Sequence, residues 1–396
     1  MSLYMCEAFS DAAMKALIHA RIITLDTVIE DGSILFKEGR IVNFGRASDL
    51  FIPEESELID ACGWYVGPGF VDIHCHGGGR FSAIDEPDKA ASYHLAHGTT
   101  SLTLSIAYNV SYEKTLTAID AIKMAMLKNE PGNINGIFFE GPYNNPKYGA
   151  KADSGRSINP IEYELLYKKA SSSIRQWMYA PELEYGDEFA RFVVSKGIPL
   201  AIGHTCASPA DIKRSVDIGA SICTHLFDAM GSHLGNDSIK DTGMIQENVA
   251  DIALITNELF LEIICDAKGV HVKPANLKLA YKCGGPDRVA LITDYATKTC
   301  MPLFDSEDND VNVNEKGEIS GSLITMDMAL KNMHHFTAAP ITHLFKMAAA
   351  TPARAIRIFD TVGSIDVGKY ANFVLLDEAL CLKKVFLKGE LVSEWA

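Results

Sequence analysis

Two histidines stand a single residue apart in "GPGFVDIHCHGGGR", residues 67–80. In an extended chain alternate side chains share a face, so His74 and His76 point the same way. Three glycines follow, leaving backbone that can turn freely, and two imidazoles presented in this way suit a metal site. Other short apolar runs end in residues of the same kind: "GIFFE" in Glu140, "LAIGH" in His204, "ICTH" in His225, "IICD" in Asp266 with His271 soon after, and "ALITD" in Asp294. A single histidine after an apolar run is most often an ordinary polar residue. Recurrence at run after run is what points to chemistry. Imidazole and carboxylate are the donors that Zn, Fe, Mn or Co accept as divalent ions, and the residue types do not separate one metal from another or one ion from two. A bound divalent ion lowers the pKa of its water from about 15.7 to about 7 and polarises a carbonyl. A carboxylate beside such an ion can take the water's proton and pass it to a leaving group.

Such residues meet only if strands bring them to one place. Between about residue 67 and 355, short apolar runs alternate with helix-like segments such as "SYEKTLTAIDAIKMAMLKN", "PIEYELLYKKAS" and "SPADIKRSVDIG". Strand, loop and helix in repetition predict a parallel sheet, and this many units predict a (β/α)8 barrel, in which the C-terminal strand ends converge on one mouth. The two chain ends read differently. Residues 1–66 and 356–396 carry short β-like runs punctuated by Gly and Asp, and are expected to form one small β-sandwich domain beside the barrel of residues 67–355. The chain has 396 residues, 47% of them apolar, enough for a large core. Its net charge is −15 and no basic block appears, which argues against nucleic acid and anionic membrane surfaces as partners. Nine scattered cysteines without CxxC spacing suit reduced thiols in the cytoplasm, and the N-terminal stretch does not read as a signal or anchor.

The stretches "PGFVDIHCHGGG", "EGPY", "GHT", "THLFDAM", "ITD" and "GSIDVGKYANFVLLD" together resemble the amidohydrolase superfamily, and within it the N-acetylglucosamine-6-phosphate deacetylase family. "EGP" and "THLFxAM" carry the narrower likeness, whereas HxH and the terminal motif are shared more widely. The resemblance implies a metal-dependent hydrolase that removes the N-acetyl group of an amino sugar. It implies Glu140, His204 and His225 as ligands of one ion, His74 and His76 as holders of a second, Asp294 as the catalytic aspartate, and His271, Asp228, Ala229, Ala150 and Lys151 as substrate-contacting positions. It also implies a homodimer whose partner contributes to the pocket.

Three departures fall at the substrate. Lys151 stands where the family has a histidine, Asp228 where it has an asparagine, and Asn236 where it has the arginine that reaches the phosphate of the neighbouring subunit's substrate. An arginine fork pairs with phosphate bidentately, and a carboxylate opposes a dianion, so the expectation is retained metal chemistry with drifted substrate choice. Lys240, His233 and Lys151 offset this only in part. A non-phosphorylated N-acyl sugar, or another N-acyl or cyclic amide, is the alternative substrate, and a catalytically silent sugar-binding relative is disfavoured because every ligand is present. The three glycines at 77–79 are expected to let backbone approach metal or sugar. "SGS" at 320–322 reads equally as a turn or as the family's corresponding motif, and residues 305–318 read as a solvated acidic loop. Adjacent His334 and His335 on a helix point apart and are read as surface or packing residues.

Overall fold

The computed structural model describes residues 13–128, 132–150, 155–231, 247–297, 310–314 and 316–395. The N-terminal part supplies β1 (Lys15–Ile23), β2 (Val28–Lys37), β3 (Arg40–Arg46), β4 (Glu57–Asp60) and β5 (Tyr65–Pro68). One residue later the barrel begins with β6 (Phe70–Cys75), which leads into a tight hairpin, β7 (Gly77–Gly78) and β8 (Phe81–Ser82). The remaining barrel strands are β9 (Thr99–Ala107), β10 (Ile134–Glu140), β11 (Ile174–Tyr179), β12 (Leu200–Ile202), β13 (Ala220–Cys223), β14 (Phe260–Ile264) and β15 (Val289–Ile292). All eight are parallel and pair in chain order, with helices between them, as a (β/α)8 barrel requires.

Strand alternation sorts these residues into two layers. Ile137 and Phe139 pack with Ala118, Ile119 and Ile122 of the helix Tyr112–Lys128, on the outside. Phe138 joins Ile73, Met178, Ala201, Ile222, Ile264 and Ile292 in a separate cluster, the barrel interior. Ala349, Ala353 and Ile356 complete that cluster from the chain segment after the barrel. Arg357 follows directly and donates to the Gly197 carbonyl ahead of β12, so this segment plugs the N-terminal end of the cylinder. The opposite rim is left for polar residues. There the exit of β15 bonds to the exit of β6: the Asp294 amide donates to the His74 carbonyl at 2.8 Å, and the His76 amide to the Tyr295 carbonyl at 2.8 Å.

After the barrel come the hairpin β16 (Val311–Val313) and β17 (Ile319–Ser322), then β18 (Phe373–Leu376), β19 (Leu382–Leu387) and β20 (Glu390–Glu394). The two chain ends share one hydrogen-bonded sheet, ordered β20-β19-β18-β5-β1-β2-β3 with β4 also on β1. β1 joins its halves, because its first residues pair with β4 and its last with β5. Leu17, Ile22, Ile34, Phe36, Val66, Phe373 and Phe386 form this domain's own core.

The junction between sheet and barrel is tight. A Cβ at Gly67 would lie 2.0 Å from the Phe345 ring, whereas one at Gly45 would meet only Leu50 at 3.8 Å. Overpacking of this kind costs about 1–3 kcal/mol. Gly67→Ala is therefore expected to lower the urea midpoint by a corresponding amount, and Gly45→Ala to leave it nearly unchanged.

Candidate metal centre

Six side chains from five strand ends converge at the C-terminal rim. His204 Nε2 lies 2.9 Å from Glu140 Oε1 and 3.0 Å from His225 Nε2, and His225 Nε2 is 3.4 Å from the same carboxylate oxygen. Beside this group, His74 Nε2 lies 3.1 Å from His76 Nε2, and each is 3.4 Å from Asp294 Oδ1. Glu140 faces both groups, since its Oε2 is 3.3 Å from His76 Nε2. The sequence reading thus holds as to place: Glu140, His204 and His225 meet, and His74, His76 and Asp294 meet next to them. Asp294 stands closer to the histidine pair than a pure proton carrier needs, within reach of an ion that the pair would hold.

The tautomers decide what such a cluster can do. His204 Nδ1 donates to the Tyr148 carbonyl at 3.1 Å, His225 Nδ1 to the Asp228 carbonyl at 3.1 Å, and His74 Nδ1 to Glu262 Oε2 at 3.2 Å. Each ring then turns the lone pair of Nε2 inward, toward other lone pairs and carboxylate oxygens. Opposed lone pairs at this separation need a cation or a proton between them. Nitrogen ligands about 2.0–2.1 Å from a tetrahedral ion lie about 3.3 Å from one another, close to the spacings found here. The donor set, the spacing and the outward anchoring of Nδ1 all fit a divalent metal.

The electrostatics agree. Burial pushes the Glu140 carboxyl up, but the surrounding histidines more than reverse this and hold it well below the usual range. Burial lowers the His76 ring, while Glu140 and Asp294 outweigh burial and raise it to about 9; His74 is likewise raised well above its ordinary value and His225 is raised. Burial raises Asp294, and the His74 and His76 charges bring it below its ordinary value.

Local backbone aims these groups. His204, His225 and Asp294 have φ of 45°, 29° and 44°, in the left-handed region that costs a non-glycine residue of order 1–3 kcal/mol. Each strand turns sharply at its ligand, so the side chain enters the mouth instead of continuing the pleat. Beyond His204, Glu182 secures the turn: it accepts from the Thr205 hydroxyl, from the Cys206 amide at 2.8 Å and from Asn145. Beneath the rim, the wholly buried Asp72 accepts from the Thr293 hydroxyl at 2.6 Å and the His74 amide at 3.2 Å, and its burial raises its pKa to about 7.

Other expectations are redistributed. Asp266 joins neither ligand group; its carboxylate accepts the amides of Lys268, Val270 and His271 and the His271 ring Nδ1 at 3.1 Å. His271 is buried, and among the described residues its Nε2 has no hydrogen-bond partner. A cavity of about 510 Å³ opens over the rim, lined in part by Glu140, His204, Asp294, Ala150 and Asp228. Its described lining does not include Ala229 or His271. Lys151, His233, Asn236 and Lys240 lie outside the described residues.

One reading of a smaller motif needs correction. Part of the stretch read as a solvated loop is the buried strand β16, whose Asn312, with Asn314, lines the cavity. The first two of the three glycines serve chain packing: a Cβ at Gly77 would meet Phe81 and Thr297, and one at Gly78 the Ala90 carbonyl. Ser320 and Gly321 line the cavity, and the Ser322 amide donates to the Asp294 carbonyl at 2.9 Å, so "SGS" helps to hold the turn at Asp294. His334 and His335 are exposed on the helix Met326–Thr337, away from the rim, as the sequence suggested. A third group, Asp72, Cys75 and His94, lies within mutual reach. Cys75 Sγ and His94 Nε2 both bond the Gly77 carbonyl, at 3.0 and 2.7 Å, and so brace the loop after His76.

A ring nitrogen must be deprotonated to ligate, so metal uptake expels protons from the raised histidines. Calorimetric titration of metal-free protein with Zn²⁺ at pH 7, in two buffers of different ionisation enthalpy, is expected to show net proton release. Apparent affinity is expected to rise with pH above 7 as the raised histidines lose their protons.

The Amidohydrolase family profile matches residues 65–392. The N-acetylglucosamine-6-phosphate deacetylase of Vibrio furnissii is 27% identical over 344 residues, covering 83% of each chain. The N-acetylgalactosamine-6-phosphate deacetylase of Escherichia coli O157:H7 is 26% identical over 389 residues, covering 94% of this chain and 98% of its own. Among solved structures, the N-acetylglucosamine-6-phosphate deacetylase of Pasteurella multocida superposes with a TM-score of 0.82 at 26% identity, covering 96% of this chain and 99% of that one.

Proposed function

Since this chain belongs to the amidohydrolase family, we propose that it removes the N-acetyl group from an amino sugar by metal-dependent hydrolysis. The observation that carries this reading is the meeting of four imidazole Nε2 atoms on Glu140 with Asp294 beside them. Relatives spanning most of the chain bear deacetylase names.

In this reading Glu140, His204 and His225 would hold one divalent ion, and His74 and His76, with Asp294 in reach, would hold a second. Metal bound there supplies Lewis acidity to the amide carbonyl and acidity to a water. Asp294 accepts the proton of the attacking water as the water oxygen adds to the acetyl carbon. The C–N bond then breaks as Asp294 passes the proton to nitrogen, giving acetate and a free amine. His271, held through Nδ1 by Asp266, has its Nε2 left for a substrate oxygen. The Ser320 hydroxyl faces the cavity, where it can meet a sugar hydroxyl, while the Asn314 amide is taken up within its own hairpin.

A second reading concerns the phosphate. The Asp228 carboxylate in the cavity lining opposes a dianionic ligand. This supports a sugar without a 6-phosphate, or another N-acyl compound. A homodimer and a cytoplasmic setting belong to the same proposal. In support of the latter, the seven cysteines among the described residues are free thiols.

An acetate-release assay over N-acetylglucosamine and N-acetylgalactosamine, each with and without 6-phosphate, tests both readings. Turnover of at least one is expected. A large kcat/KM preference for phosphorylated sugars would end the second reading, and inactivity on all four would end the first. Asp294→Asn is expected to lower kcat about 10²–10⁴-fold with the Glu140–His204–His225 ion still present by elemental analysis.

A further inference from the structure

Below the rim, the barrel interior holds two polar side chains that neither ligate nor touch the cavity. Glu262 on β14 and Gln176 on β11 are both wholly buried. Gln176 Nε2 donates to Glu262 Oε1 at 3.0 Å and to the Ile73 carbonyl at 3.1 Å. Glu262 Oε2 in turn accepts from His74 Nδ1 at 3.2 Å, and the His225 amide points to the same oxygen at 3.4 Å.

We propose that Glu262, braced by Gln176, is the positioning residue that presents His74 to an ion at the His74–His76–Asp294 group. The inference rests on reading that group as a metal site. His204 and His225 receive their orienting bond from main-chain carbonyls, which strand-end turns supply at no further cost. His74 has no such carbonyl and takes its bond from a carboxylate reaching up from inside the barrel. That carboxylate fixes the Nδ1–H tautomer, leaves Nε2 free for the metal and makes the ring a better donor. Burying a carboxylate in a core of Ile, Phe and Met is costly unless its oxygens are bonded. Here both are, and one of those bonds fixes a ring in the neighbouring site.

The chemistry of substitution is specific. A carboxylate offers two acceptors to two donors, Gln176 Nε2 and His74 Nδ1. An amide at 262 offers one acceptor and one donor, so one of the two bonds gives way. Leucine removes both.

The test compares chelator-stripped wild type, Glu262→Gln, Glu262→Leu and His74→Ala, reloaded with Co²⁺ and followed by metal content and visible absorption. The wild type is expected to bind two ions. Glu262→Gln is expected to weaken one of them about 10- to 100-fold, and Glu262→Leu to weaken it more. The Glu262→Leu spectrum is expected to match that of His74→Ala, with the Glu140–His204–His225 ion retained. If Glu262→Leu does not fold, the Gln variant carries the test. Wild-type affinity for both ions in the Glu262 variants, or equal loss of both, would overturn the inference while leaving the metal reading intact. If the wild type takes up no ion that His74→Ala abolishes, the inference and the two-ion reading fall together.

Discussion

An imidazole has two nitrogens, and an ion can use one only when the other is held. Much of the architecture at the rim follows from that constraint. Three rings have their outer nitrogen fixed by the Tyr148 carbonyl, the Asp228 carbonyl and the Glu262 carboxylate. The first two acceptors come from loops that continue or approach the same strand ends, so the turn that places the ring also anchors it. The third forces a polar layer into the barrel, where Gln176, Glu262, Asp72 and Thr293 hydrogen-bond among themselves and to the backbone of β6 and β15. Buried polar groups are tolerable when bonded in this way.

Closing the cylinder and assembling the site are one event. The main-chain bonds that join the last strand to the first belong to His74, His76, Asp294 and Tyr295, and the Asp294 turn is in turn bonded by Ser322 of the β16–β17 hairpin. The small β domain shares in this, because β5 runs almost directly into β6 and is paired to β18. Both chain ends are therefore tied to the strand that carries the histidine pair.

The barrel and the cluster at its rim were legible in the sequence because the signal is local. A fully buried parallel strand reads as an apolar run, and a charged or imidazole residue at its end stands out, as at Glu140, His204, His225 and Asp294. Glu262 carries the same kind of signal inside "LFLEIIC", but a lone acid in the middle of a run gives no hint of the ring above it, since the partner lies on another strand. Gln176 and Glu182 escaped notice for the same reason: their meaning depends on which turns they meet in space. β16 was read as a solvated loop because its polar residues, Asp310, Asn312 and Asn314, alternate with only two valines. Asn312 and Asn314 line the substrate cavity, while the Asp310 carboxylate accepts the Ala267 amide.

The left-handed backbone at three of the rim residues also bears on how such an enzyme changes over generations. Glycine is the residue most comfortable at those angles, and it is the one that cannot ligate or carry a proton. Any lineage that keeps the reaction must keep an uncomfortable residue at 204, 225 and 294, which leaves those positions little room to vary. Ile319 and Ser320 bear no such burden. They face the same space from a short hairpin that Asn312 and Asn314 hold through their own side-chain bonds, and exchanging them alters which molecule fits without disturbing the machinery beneath. New specificities are therefore most accessible at these two positions, with the chemistry inherited unchanged.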